Sequence, residues 1–299
     1  MEKNIIIHEV GLRDGLQNES LIVDTETKLQ WALELANSNL NIIQLGSFVN
    51  PNKVPQMADT DKLFELIKKQ VLKTKFSALI LNHKGLERAL QTGVDIICTG
   101  VSASNTHSLK NTGMDTETAL ETVIDITKII KEHNLDYQVS IQSAFGCGYE
   151  GRIDEGKVLA IASKFIDNGI LNISLADTSG YAYPEKVRRI IELIKNIEPL
   201  VRITVHFHNT FGLGIANTIE AINSGAEVIE TAIGGLGGCP FTKVAAGNVP
   251  TEDFVNYLQR KKERMDISLD SLLNLSKKIS IYLNKELQSY TFKIGKFKL

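Results

Sequence analysis

Gly169-Ile170-Leu171-Asn172-Ile173 follows, after Asn168, on Gly156–Asp167, a stretch whose apolar residues recur at helical spacing. The same junction returns as Asn39-Leu40-Asn41-Ile42-Ile43, as Gly93-Val94-Asp95-Ile96-Ile97 and as Gly225-Ala226-Glu227-Val228-Ile229. Glycine, and less readily asparagine, takes the left-handed conformation that closes a helix, and the apolar run behind it reads as the next buried strand. Adding Ile5–Val10, Phe76–Leu81, Gln138–Ala144 and Ile203–Phe207 brings the predicted strands to about eight. Between strands lie further helical-period stretches, Thr25–Ala36, Thr116–His133 and Glu185–Asn196. Helices alternating with uniformly apolar strands mean a parallel sheet. Eight such units in about 260 residues fit a closed (β/α)8 TIM barrel better than an open doubly wound sheet. No Gly-x-Gly-x-x-Gly follows the first strand, which weakens a dinucleotide reading. The expectation is an α/β chain with one catalytic barrel domain over 1–299. The barrel runs to about 265, and a C-terminal helical extension, about 266–299, carries a helix at Leu269–Leu283.

Composition narrows the class. The 299 residues are 43% hydrophobic and 23% charged, which suits a globular core and excludes collagenous, disulfide-rich and disordered chains. Lys and Arg number 33 against 35 Asp and Glu, a net charge of −2, so no strong positive field is available for nucleic acid. Cys98, Cys147 and Cys239 are odd in number and widely spaced, as in a reducing compartment. No signal-type apolar region follows Met1-Glu2-Lys3-Asn4, and no apolar stretch approaches a membrane span. A cytoplasmic protein with no membrane and no nucleic-acid partner is expected.

Chemistry in such a barrel sits just beyond the C-terminal strand ends. Strand 1 leads into Gly11-Leu12-Arg13-Asp14-Gly15, strand 2 carries Gln44, and strand 6 ends at Asp177. Strand 7 gives Val205-His206-Phe207-His208-Asn209, and strand 8 leads to Gly234-Gly235-Leu236-Gly237-Gly238-Cys239-Pro240 and on to Asn248. Residues two apart on a strand share a face, so His206 and His208 aim into one site. With Asp14 and Asn248 they form a mixed N/O ligand set, which suits Mg²⁺ or Mn²⁺ better than a thiolate-rich zinc site, with Zn²⁺ as an alternative. The guanidinium of Arg13 beside Asp14 could hold a substrate carbonyl; an ordinary surface ion pair is the plainer reading of that dipeptide. The glycines read as a loop that closes over a ligand with Cys239 at its tip. Ser104-Asn105-Thr106-His107-Ser108-Leu109-Lys110-Asn111 reads as a polar loop, either simply solvated or meeting phosphates or a thioester arm. His8 and His83 read as scaffold or surface, His133 as a helix C-terminal charge, and Cys98 as core.

These stretches resemble the hydroxymethylglutaryl-CoA lyase family. The resemblance rests on Glu9 to Glu19, Ser47-Phe48-Val49, Val54-Pro55-Gln56-Met57, Ser174-Leu175-Ala176-Asp177-Thr178, His206-Phe207-His208, Gly235 to Pro240, and Ala246-Gly247-Asn248 followed by Thr251-Glu252-Asp253. It implies a metal-dependent barrel that cleaves a 3-hydroxyacyl-CoA thioester to acetyl-CoA and a keto acid, working as a homodimer. It further implies metal ligands at Asp14, His206, His208 and Asn248, and catalytic residues at Arg13, Asp177, His206 and Cys239. Arg13, Gln44, Asn105, Lys110 and Asn111 are the expected substrate contacts. Removing the C3 hydroxyl proton releases the acetyl-CoA enolate, which Arg13 could stabilise and a thiol at Cys239 could protonate. The acceptor of the hydroxyl proton stays open between Asp177, His206 and a metal-bound water. Gln44 departs from the glutamate usual in the family, which leaves open a related substrate such as citramalyl-CoA. Condensing enzymes of the isopropylmalate synthase type, biotin-dependent carboxyltransferases and a non-catalytic metal-containing acyl-CoA binder are the competing readings.

Overall fold

In the computed structural model, which describes residues 5–238 and 246–296, the four predicted junctions close as the sequence implies. Asn39, Gly93, Gly169 and Gly225 have φ of 69°, 71°, 68° and 106°, the left-handed region in which a helix ends and the chain turns into a strand. The strands are β1 (Ile6–Glu9), β2 (Ile42–Ser47), β3 (Lys75–Leu79), β4 (Ile96–Ser102), β5 (Asp136–Gln142), β6 (Asn172–Asp177), β7 (Arg202–Phe207) and β8 (Ala226–Thr231). They form a closed barrel in sequence order. Closure is made by parallel pairing of β1 with β8, with Ile7 opposite Ile229 and Glu9 opposite Thr231. The eighth strand thereby brings the glycine-rich segment beside the turn that follows the first.

Helices α1 (Thr25–Asn37), α2 (Thr60–Ile67), α3 (His83–Leu90), α4 (Asn105–Thr112), α5 (Thr116–Glu132), α6 (Glu155–Asp167), α7 (Pro184–Ile197), α8 (Gly214–Asn223) and α9 (Thr251–Arg260) surround the strands. Local sequence starts them. Asp24 accepts a hydrogen bond from the Thr27 amide at 2.9 Å and Asp115 from the Thr118 amide at 2.7 Å, while Pro184 opens α7. In α5, Leu120, Val123, Ile126, Thr127 and Ile130 are buried, the one-face spacing that packs a helix on a sheet. Outward strand residues such as Ile43, Ile97, Ile141, Leu175 and Val205 join these helices in one continuous apolar core. A separate small cluster of Ile42, Ile96 and Cys98, with Ile6 and Leu79 against it, plugs the barrel.

The stretch from Ser104 to Asn111 is not a loop: residues 105–112 form α4. Ser104 caps it by accepting from the His107 amide at 3.1 Å, Gly113 ends it at φ 80°, and His107 and Ser108 are its buried residues. Beyond the barrel, α10 (Leu269–Leu283) packs on α1, with Trp31 and Tyr282 edge to face at 5.4 Å, and α11 (Tyr290–Ile294) follows. Between them the Gln288 backbone amide donates to the Gly234 carbonyl at 2.9 Å, and Gln288 Oε1 accepts from the Gly247 amide at 3.1 Å. The C-terminal segment thus holds both ends of the segment that contains Cys239. No helix among the described residues is long and apolar enough to cross a membrane.

Candidate metal centre and active site

After β1 the chain makes one wide π-type turn, Gly11–Gly15, in which the Leu16 amide reaches back to the Gly11 carbonyl at 2.9 Å. Such turns are rare and recur at functional sites. This one presents Arg13 and Asp14 to the barrel mouth. At the end of β7, His206 and the following His208 project from one face, and their Nε2 atoms lie 3.1 Å apart. Each Nε2 is 3.9 Å from Asp14 Oδ2. His208 also bridges to Asn248, whose Nδ2 donates to Asp14 Oδ2 at 2.8 Å and to the Leu236 carbonyl at 3.1 Å. Close packing here depends on Gly237, at φ 101°, where a Cβ would stand 2.7 Å from Asn248 Nδ2.

The ligand atoms of Asp14, His206 and His208 all lie within 4.8 Å of one another, a grouping that could hold one metal ion. Among the described residues Asn248 Oδ1 has no hydrogen-bond partner, although it is buried and its amide nitrogen is doubly engaged. A buried amide oxygen left without a donor is costly, and a cation beside it would remove that cost. One carboxylate, two imidazoles and one amide oxygen therefore fit a divalent ion with mixed N/O preference.

Electrostatics favour the ligating protonation states of Asp14 and His208, while His206 is drawn toward its protonated form. Burial pushes the Asp14 carboxyl up, but the Arg13 guanidinium and the two imidazoles outweigh it and hold Asp14 well below the usual range. Burial and the neighbouring His206 lower His208 to about 4, leaving it neutral at physiological pH. For His206, burial works downward, but the hydrogen bond and charge of Glu230 prevail and raise it. Arg13 is itself held on two sides: Nη1 donates to Asp14 Oδ1 at 2.6 Å and Nε donates to Gln44 Oε1.

From this cluster a cavity of about 480 Å³ opens. Arg13, Asp14, Gln44, His206, His208 and Asn111 line it, together with Glu230 and Gln138 deeper in the barrel and Asn50, Lys53 and Met114 among its other lining residues. Asn105 and Lys110 are not among the lining residues. Asn105 Oδ1 accepts from the Thr116 amide at 3.1 Å, and Lys110 sits 4.3 Å over the Tyr149 ring, so both are engaged in fastening α4. Asp177 is also absent from the lining. Its oxygens accept from the Tyr181 and Ala182 amides at 2.8 and 3.0 Å, and burial raises its carboxyl to about 6. Cys239 lies outside the described residues. Cys98 is buried in β4, where burial and the Glu230 charge push its thiol up to about 12.

Glu230, His8 and Gln138 were not singled out by sequence as site residues, yet they stand directly beneath the cluster. Glu230 Oε2 is 2.7 Å from His206 Nδ1, and its other oxygen accepts from Gln138 Nε2. The available signal was Glu230 directly after Val228-Ile229, on the strand face opposite Ile229 and shared with Val228.

A closed (β/α)8 barrel whose mouth carries such a cluster above a ligand-sized cavity defines a class of barrel enzymes that work at the C-terminal strand ends. Comparison with known proteins narrows the class. The HMGL-like family matches residues 4–279. A hydroxymethylglutaryl-CoA lyase of Bacillus subtilis is 34% identical, over 98% of this chain and 98% of that protein. A 3-hydroxy-3-isohexenylglutaryl-CoA/hydroxymethylglutaryl-CoA lyase of Pseudomonas aeruginosa is 32% identical over 95% of each. The structure of an HMG-CoA lyase from Acinetobacter baumannii, in complex with coenzyme A and 3-methylmalate, superposes with a TM-score of 0.92 at 34% identity, covering 99% of this chain and 97% of that one. The chain belongs to the hydroxymethylglutaryl-CoA lyase-like family and is an oxo-acid lyase of that type.

Proposed function

We propose that this enzyme cleaves a 3-hydroxy-3-methylglutaryl-CoA-like thioester to acetyl-CoA and a keto acid, with one divalent cation held by Asp14, His206, His208 and Asn248. The observation that carries the reading is the convergence of these residues, including an amide oxygen without a donor, at the cavity of a chain from this family. Mg²⁺ or Mn²⁺ suits the donor set. A cation held by these four residues would supply Lewis acidity toward the C3 hydroxyl. Asp14 supplies the only carboxylate of the set and stays ionised because Arg13 and the imidazoles stabilise its charge. Arg13, fixed by Gln44 and Asp14, is held ready to receive the oxygen that gains charge as the C2–C3 bond breaks. No reorganisation of a flexible side chain is then needed during the reaction. Asp177 fastens the segment after β6 through its two amide contacts. Protonation of the leaving carbon is assigned to Cys239 from the family resemblance. The proposal includes an acyl-CoA partner, in keeping with the coenzyme A in the A. baumannii complex, and a cytoplasmic homodimer.

A second reading concerns the substituent at C3. Gln44 brings a neutral amide to Arg13, and the P. aeruginosa relative is named for a larger isohexenyl substrate as well as for the methyl one. A related 3-hydroxyacyl-CoA is therefore the alternative substrate. Acetyl-CoA release from a panel of 3-alkyl-3-hydroxyglutaryl-CoA and citramalyl-CoA thioesters tests both readings. Chelation should take turnover to background, and Mg²⁺ or Mn²⁺ should restore it. Full turnover after rigorous metal removal would overturn the metal reading, and no acetyl-CoA from any thioester would overturn the lyase reading.

A further inference from the structure

The inside of this barrel is hydrogen-bonded from wall to wall. Gln138 on β5 donates to Glu230 Oε1 on β8, and His8 on β1 bonds through Nε2 to Ser77 Oγ on β3 at 2.7 Å. Neither pair of strands is adjacent, so these contacts cross the interior. His8 Nδ1 lies 3.4 Å from Glu230 Oε1, and Thr204 Oγ1 donates to Gln138 Oε1 at 3.4 Å. Barrel interiors are usually filled by branched apolar layers. A carboxylate placed there is expensive unless each oxygen is engaged. Glu230 has both engaged: Oε1 faces Gln138 and His8, and Oε2 receives His206.

We propose that Glu230 is a positioning residue that keeps the His206 proton on Nδ1, so that the Nε2 lone pair faces Asp14 and His208. A neutral imidazole has one donor and one acceptor nitrogen, and a carboxylate opposite Nδ1 can only accept. It therefore fixes the tautomer as well as the ring plane. Gln138 holds the opposite oxygen from β5, so Glu230 cannot rotate away without breaking that cross-barrel contact. A carboxylate behind a ligating imidazole also raises the basicity of that ligand. The cavity reaches Glu230, but its role runs through His206, so it is not a catalytic residue. The proposal deepens the metal reading given above and rests on it for the cation.

The test combines a ring-nitrogen measurement with a binding measurement. In protein labelled with ¹⁵N-histidine, long-range ¹H–¹⁵N spectra report which His206 nitrogen bears the proton. Spectra are taken metal-free, at a pH where the ring is neutral, and again with Mg²⁺. The expected result is a single Nδ1–H form in both. A proton on Nε2 in the metal-free wild-type protein overturns the proposal without any variant. Glu230→Gln keeps the volume and one acceptor but removes the charge and allows the amide to turn. It should mix the tautomers and weaken Mn²⁺ binding by about 10–100-fold, read by electron paramagnetic resonance on folded protein. A merely space-filling role predicts unchanged Mn²⁺ affinity and an unchanged tautomer, which would overturn the proposal even if activity fell. If the wild-type protein itself takes up no Mn²⁺, the metal reading fails, while the tautomer still decides what Glu230 does.

Discussion

Alternate residues of the same strands live in opposite surroundings. On β6 and β8, Ile173, Leu175 and Ile229 point outward into the continuous apolar core shared with the helices. On the inward faces stand Ser174 on β6, His206 on β7 and Glu230 on β8, which line the cavity. The fold is therefore held mainly by the outer annulus, where burial of branched side chains provides the driving force. Apart from the small plug of Ile42, Ile96 and Cys98, the inner column is free to be polar because the outer annulus carries most of the apolar burial. A substitution on one face should injure stability and leave the chemistry alone; one on the other should do the reverse.

The largest effect is expected on the inward side, at the mouth. Arg13→Gln should lower kcat by about 10²–10³-fold with little change in melting temperature, because it removes charge stabilisation made chiefly in the transition state. Steady-state kinetics alongside thermal unfolding check this, and a comparable loss of stability would blur the division between the two faces. On the outward side, Ile173→Ala should cost about 2–5 kcal/mol of unfolding free energy while leaving kcat per folded molecule unchanged. Denaturant titration with an active-fraction assay decides it.

The carboxyls that fasten the segment after β8 should make stability depend on pH. Glu9 accepts from the Gly11 and Ile233 amides at 2.8 Å each, and Glu252 accepts from the Gly234 amide at 2.9–3.0 Å. Burial raises Glu9 to about 7 and Glu252 to about 8, from an ordinary value of 4.5. A carboxyl raised in the folded state contributes stability fully below its unfolded value, and that contribution is lost as pH climbs through the folded one. The melting temperature should therefore fall by a few degrees between pH 5 and about 9. Glu252→Gln should flatten the upper part of the curve. Calorimetry across that range checks it, and an unchanged slope in the variant would show that another group titrates.

The smallest effect is expected at Gln44. A glutamate there would pair with Arg13 as an ion and leave the guanidinium less able to engage substrate charge. Gln44→Glu should change the ratio of kcat/KM between hydroxymethylglutaryl-CoA and the best alternative thioester by about tenfold or less, with little effect on folding. A ratio unmoved by the substitution would remove Gln44 from specificity.

Short-range features could be read along the chain. The left-handed residues Asn39, Gly93, Gly169 and Gly225, the caps Asp24 and Asp115, and the period-two placement of His206 and His208 depend on neighbours a few residues away. Such features survive in any context that keeps the local backbone, which is why the barrel was legible from its junctions. The segment 105–112 misled because its composition is polar throughout, and the burial of His107 and Ser108 that makes it a helix comes from elsewhere in the fold.

What only the tertiary structure decided is which side chains meet across the closed barrel. Asp14 and Asn248 are 234 residues apart and touch because β1 pairs with β8. Gln138 reaches Glu230 across 92 residues, and His8 reaches Ser77 across 69, through an interior that exists only once the ring is complete. The same closure left Asn105 and Lys110 fastening α4 and kept Asp177 off the cavity wall. Hydrogen-bonded burial of polar groups is a property of an enclosed space, and no window along the chain encloses one.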